Sequence, residues 1–148
     1  MNRKDFVKSC GAGCVSLLVG PLLLNGCAGT KYVTAPIEGS DMIVPLSSFE
    51  IIKDNATEYR RYIVVQNDTL QFPICVYRLA ADSYTALWMK CTHQGTELHA
   101  YGDRLQCPAH GSEYDNKGHV ITGPADRNLR SFPVTVNNNE LFIDLRKK

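Results

Sequence analysis

Two short stretches of the chain concentrate side chains that bind metal. Cys91-Thr-His93-Gln-Gly95 and Cys107-Pro-Ala-His110-Gly111 each place one thiol and one imidazole in a tight loop closed by glycine. Thiolates and neutral imidazoles are the donors of zinc, copper and iron–sulfur centres. The C-x-H and C-x-x-H spacings bring two donors to one metal region without any secondary structure between them. The closing glycine gives the backbone freedom to wrap around a cofactor. Between His93 and Cys107 lie 13 residues, enough for a hairpin turning at Tyr101-Gly102-Asp103. Both loops then emerge at the same end of a sheet. Two cysteines and two histidines also describe a structural zinc site. Those sites typically draw both cysteines from one loop and both histidines from another. Here each loop carries one of each, and no helical segment carries a histidine pair. A structural zinc module is therefore the remote alternative.

With their flanks, these residues resemble the Rieske family of iron–sulfur proteins. The similarity runs from about Leu70 to Phe132, through Cys91-Thr-His93-Gln-Gly95, Cys107-Pro-Ala-His110-Gly111-Ser112-Glu-Tyr114-Asp115 and Gly123-Pro124-Ala125. It implies an all-β fold of antiparallel sheets with a small cluster-binding subdomain, its loops at about 91–115. It implies one [2Fe–2S] cluster, with Cys91 and Cys107 on one iron and His93 and His110, partly exposed, on the other. Gly123-Pro124-Ala125 resembles the proline loop that covers the cluster's third side. Ser112 and Tyr114 stand where high-potential members carry hydroxyls that donate to a bridging sulfide and a cysteine sulfur. Gln94, Thr96 and Ala109 depart from the quinol-oxidising pattern. That pattern has leucine at the first position and a second, disulfide-linked cysteine in each loop.

Ligand charge explains the use of histidine. Two ferric ions, two sulfides and two thiolates sum to zero, whereas four thiolates leave the oxidised site dianionic. Adding an electron to the neutral site is easier, which moves the potential into a range of about −150 to +300 mV. Reduction also makes the imidazoles more basic, so electron uptake can draw a proton with it.

The elements that position these loops read as strands. Arg61–Gln66 and Leu70–Arg78 are β-rich runs flanking Asn67-Asp68, a hairpin signal. In the second run Leu70, Phe72, Ile74 and Val76 share a face, and Pro73 suggests a sheet edge. Tyr84–Lys90, Leu98–Ala100, Arg104–Gln106, His119–Thr122, Phe132–Val136 and Leu141–Leu145 follow, giving about nine short strands and no convincing helix. His99 and His119 read as surface residues, Cys75 as a small packed side chain and Trp88 as part of the base core.

The N-terminus reads as a separate unit. Arg3, Lys4 and Lys8 precede the apolar run Cys14–Leu24, which is too short to span a bilayer and is interrupted at Gly20-Pro21. Leu24-Asn25-Gly26-Cys27 resembles a lipobox, which makes 1–26 an export signal and Cys27 a lipidated anchor. Arg3-Lys4-Asp5-Phe6-Val7-Lys8 resembles a twin-arginine signal with lysine second. A retained anchor helix is the alternative. Residues 27–40 read as a tether and 41–148 as the domain. Six cysteines among 148 residues suggest a disulfide framework until they are placed. Cys10 and Cys14 fall in the signal, and only Cys75, Cys91 and Cys107 remain inside the domain.

With 44% hydrophobic and 21% charged residues and a net charge of +1, the chain suits one globular domain. It has no basic run pointing to nucleic acid, and no nucleophile–base pair or phosphate loop. The sequence thus predicts an exported, membrane-anchored electron carrier on the periplasmic or envelope side. Its partner is a membrane cytochrome or a periplasmic oxidoreductase. A second reading is the small Rieske subunit of an exported oxidoreductase.

Overall fold

The computed structural model describes residues 29–146, so the predicted export signal and Cys27 lie outside the described residues. Alternating apolar residues build a two-sheet base. One sheet has the order β1 (Tyr32–Thr34), β6 (Tyr62–Gln66), β7 (Ile74–Ala80), β8 (Ser83–Trp88), β13 (Ser131–Phe132). Facing it is a sheet ordered β14 (Val134–Asn137), β15 (Glu140–Asp144), β3 (Asp41–Pro45), β2 (Ile37–Glu38). Met42, Val44, Ile63, Val65, Ile74, Val76, Leu141 and Ile143 interdigitate between them, closed at one end by Phe49 of a 3₁₀ turn over Leu46–Phe49. Packing side chains of this kind stabilises the fold by about 1.5–3 kcal/mol each.

The opposite face of the five-stranded sheet is also covered. A sheet ordered β12 (Val120–Thr122), β11 (Glu113–Asp115), β10 (Arg104–Gln106), β9 (His99–Tyr101) packs on it. Leu98, Leu105 and Tyr114 meet Val64, Cys75, Tyr77 and Leu87 there in a second core. Burial on both faces explains the unbroken apolar run Ile63-Val64-Val65. A strand wet on one side needs apolar residues only at alternate positions. Strands β4 (Glu50–Lys53) and β5 (Ala56–Tyr59) form a hairpin of their own.

All-β architecture is as expected, with corrections of detail. The described residues hold fifteen strands, because the predicted runs are subdivided and the N-terminal segment contributes its own. The 27–40 segment is not a free tether: β1 pairs in parallel with β6, β2 pairs with β3, and Ala35 is buried. Its register, Tyr32 opposite Val64, spans 32 positions of sequence and leaves no local signature. The 41–148 domain therefore begins earlier, before residue 32. Nor is Pro73 in an edge strand: β7 is interior, and Pro73 precedes it with its carbonyl accepting from the Met89 N–H. Leu70 and Phe72 lie in the connection. Phe72 meets Trp88 edge-on at 5.9 Å, and Trp88 is half-buried at the rim of the base core rather than filling it. Cys75 is fully buried and His99 and His119 are exposed, as their positions in the sequence suggest.

The β11–β12 connection has no room for a side chain at Gly118. Its φ is +86°, and a Cβ there would stand 2.9 Å from Leu87 Cδ2 and 3.4 Å from Leu129 Cβ. Gly118→Ala combines left-handed backbone strain with overpacking and should cost about 2–3 kcal/mol. Denaturant unfolding of the purified variant checks this; an unchanged midpoint contradicts it.

Candidate metal centre

The two motifs fold into near-identical loops. In the first, the Cys91 N–H donates to the Thr96 carbonyl at 2.8 Å and the Gly95 N–H to the Cys91 carbonyl at 2.9 Å. In the second, the Cys107 N–H donates to the Ser112 carbonyl at 2.8 Å and the Gly111 N–H to the Cys107 carbonyl at 3.0 Å. Each turn closes only with its fifth residue in the left-handed region: Gly95 has φ +74° and Gly111 +80°. Glycine adopts that conformation without the cost a Cβ would impose. The hairpin of β9 and β10, paired Tyr101 to Arg104 and His99 to Gln106, brings both loops to one end, as the spacing predicts.

The donors are sorted by burial. Cys91 and Cys107 are each 2% exposed and carry free thiols. The His93 and His110 rings are exposed and lie with centroids 5.1 Å apart, nearly perpendicular. Burial pushes the Cys91 thiol up, but the Tyr114 hydroxyl, the His93 and Gln94 N–H groups and the Cys107 thiol more than offset it. The net direction is down, toward the thiolate that binds metal. Burial in an apolar strand drives Cys75 the other way, well above the usual thiol range. The same residue type is a ligand candidate in one place and packing in the other.

Of the predicted tuning residues, Tyr114 reaches a thiol and Ser112 is buried behind the second loop. The Tyr114 hydroxyl lies 3.5 Å from Cys91 Sγ, accepts from the Thr92 N–H at 3.1 Å and stands 2.9 Å from Thr92 Oγ1. Burial, and next its bond to Cys91, raise the Tyr114 hydroxyl above its ordinary value, so it stays a donor. Ser112 is fully buried; its Oγ accepts from the Ala125 N–H at 3.0 Å, which leaves its own proton free to donate. That bond ties the Gly123-Pro124-Ala125 loop to the second motif.

Sequence reasoning missed a second clamp. Thr92 Oγ1 donates to the Arg127 carbonyl at 2.7 Å, and Arg127 Nη2 donates to the Thr92 carbonyl at 3.2 Å. Together they fasten the first motif to the loop after Ala125. Its partners are 35 residues apart, beyond any local pattern.

Asp115 anchors the turn below the site. Burial by itself raises its carboxyl, but the N–H groups of His119 and Lys117 and the His119 imidazole hold it below the usual carboxylate value. A depressed folded-state value adds stability above the unfolded carboxyl range, and that stability is lost as pH falls through the folded value. Asp115→Asn should therefore lower stability near pH 6 by less than about 1 kcal/mol, since water screens this exposed group. At the acid end the variant and the parent should converge. Urea titrations at the two pH values check it; an equal gap at both contradicts it.

Thiols turned inward and imidazoles outward, on two equivalent loops, are the donor set that iron–sulfur proteins with mixed cysteine–histidine ligation use. Over residues 51–133 the chain matches the Rieske [2Fe-2S] domain, and it belongs to that family. The domain binds a [2Fe–2S] cluster, and the donor set of two adjacent unpaired thiols and two adjacent imidazoles fits one. The chain is 28% identical over 121 residues to the cytochrome b6-f complex iron-sulfur subunit 2 of Trichormus variabilis, covering 80% of this chain and 62% of that one. A Synechococcus cytochrome b6-f complex iron-sulfur subunit is 40% identical over 55 residues, 36% of this chain and 31% of its own. The chain thus spans less than two thirds of these relatives' lengths. The cyanobacterial plasma membrane Rieske protein of Synechocystis PCC 6803 superposes with a TM-score of 0.50 at 25% identity, covering 57% of this chain and 86% of that one. A quaternary ammonium Rieske monooxygenase shares the fold at TM-score 0.55 and 17% identity, covering 73% of this chain and 32% of its own. The chain is a Rieske [2Fe–2S] domain protein related in sequence to cytochrome b6-f iron–sulfur subunits.

Proposed function

We propose that this chain carries single electrons at the outer face of a bacterial membrane, anchored through lipid on Cys27, and is not itself a catalyst of bond chemistry. It would serve a redox protein, either a membrane cytochrome or a periplasmic oxidoreductase. The observation that carries this reading is the exposure of His93 and His110 at the tip of a fold whose thiols are buried. An exposed ligand edge is where another redox centre can approach.

Cys91, Cys107, His93 and His110 would hold the cluster, which supplies reversible one-electron chemistry when bound. Tyr114 would donate to the Cys91 sulfur, and Ser112, fixed by Ala125, would donate from the opposite loop. Ala125 is buried and Pro124 exposed, and the 123–125 loop would cover the site's flank. The predicted lipobox supports the membrane location, as does the plasma-membrane location of the Synechocystis relative. Among the described residues no helix is long and apolar enough to cross a membrane.

Membrane-extracted protein should contain two irons and two acid-labile sulfides per chain and an EPR signal, when reduced, averaging below the free-electron g value. Its mass should correspond to a chain starting at Cys27 with diacylglycerol attached. Colourless protein with stoichiometric zinc would overturn the electron-transfer reading. An intact 1–26 segment would overturn the lipid anchor.

A further inference from the structure

The segment after Cys27 is fastened to the body almost at once. Arg60 Nη1 donates to the Gly29 carbonyl at 3.2 Å, and the Val64 N–H donates to the Lys31 carbonyl at 2.9 Å. Thr30 Oγ1 bonds the Tyr62 hydroxyl at 2.9 Å, and that hydroxyl donates onward to the Ala100 carbonyl at 3.2 Å. Residues 29–31 are thereby tied to both the base sheet and the cluster subdomain. Gly29 stands two positions after Cys27, a reach of at most about 7 Å. A lipid on Cys27 would hold the body itself against the bilayer.

The face presented is specific. A groove of about 480 Å³ between Gly29 and Gly102 is lined by Tyr59, Arg60, Arg61 and Tyr62. Beside it the β4–β5 hairpin leaves Ile52 72% exposed and Tyr59 50% exposed. Tyrosine and isoleucine beside the exposed Arg61 is the mixture that settles at headgroup level: apolar bodies toward the lipid, a guanidinium toward phosphate. Gly102 is the turn of the β9–β10 hairpin, and the ligand loops leave from the other end of that hairpin. Three strand residues, about 10 Å, separate the two ends.

Resting on the lipid-anchor reading, we propose that the Gly29–Gly102 face docks on the headgroup layer of the membrane, with His93 and His110 turned away into water. The domain would then sit in one orientation rather than swing on a tether. Its redox partner would be a protein that meets it in the aqueous phase, and not a quinol site within the membrane.

The test uses the full-length lipoprotein, extracted from membranes and reconstituted in phosphatidylglycerol-containing vesicles with its cluster oxidised. Nitroxide labels on Arg61→Cys and Ile52→Cys report the docking face, and one on Asp126→Cys reports the cluster end. Relaxation by oxygen relative to a water-soluble nickel chelate should be several-fold greater at 52 and 61 than at 126. Equal ratios at the three sites, or the reverse order, in protein of lipidated mass would overturn the docking and leave the anchor standing. Protein that lacks diacylglycerol and fails to stay with the vesicles would overturn the anchor reading, and the docking with it.

Discussion

Replacing Cys91 or His110 with alanine should leave the chain without its cluster: iron, acid-labile sulfide and the reduced-state EPR signal should all fall to background. Each substitution removes one of only two donors assigned to an iron, and an under-coordinated iron exchanges for water and is lost. The fold of His110→Ala should survive as far as circular dichroism reports, since His110 is exposed and lies outside both cores. Two controls make the result specific. Cys75→Ala removes an equally buried cysteine, in the interior strand β7, and should retain full iron. His119→Ala removes an exposed imidazole bonded to Asp115 and should also retain it. Full iron content in Cys91→Ala, or its loss in Cys75→Ala, would sink the ligand assignment.

The second large effect is on the reduction potential. On the proposed assignment, Tyr114 and Ser112 would offer hydroxyl protons to sulfurs that become more negative on reduction, so each bond would strengthen when the electron arrives. A hydrogen bond to a charged group contributes about 1.5–3 kcal/mol. For one electron, with 59 mV per tenfold, that caps each effect near about 65–130 mV. Only the difference between redox states counts, so each shift should fall below the cap. Tyr114→Phe and Ser112→Ala should each lower the potential by tens of millivolts with cluster content intact. The geometry separates the two. Tyr114 sits on Cys91 of the first loop, and Ser112 is held by Ala125 beside the second, so the double variant should drop by about the sum. Ser112→Ala also strips the buried Ala125 N–H of its acceptor, which should cost about 1–3 kcal/mol of stability besides. Tyr114→Phe likewise strips the part-buried Thr92 N–H of its acceptor, but leaves the Thr92–Arg127 bonds in place. Redox titration of the three variants decides it; unchanged potentials would mean that the hydroxyls point elsewhere.

The candidate centre is largely legible in the sequence. Its donors lie within five-residue loops, and Gly95 and Gly111 mark the only backbone conformation that closes each turn. The β9–β10 hairpin that joins them is local as well. Such features follow from spacing, because a short loop has few ways to fold around a metal. By contrast, strand patterns mislead wherever a partner is remote. Leu70 and Phe72 alternate like a strand, yet they lie in the connection before β7, since no neighbouring strand offers them a ladder.

Residue types and spacing alone determined the identities of the candidate ligands, the all-β class and the sorting of Cys75 from Cys91 and Cys107. Tertiary structure alone decided that residues 32–38 belong to the sheets, that β6 and β7 are buried on both faces, and that Thr92 and Arg127 clamp the first loop. The physical reason is range. Turn chemistry and donor spacing are properties of a few consecutive residues, whereas a parallel strand pair or a clamp across 35 positions exists only once the chain has closed on itself.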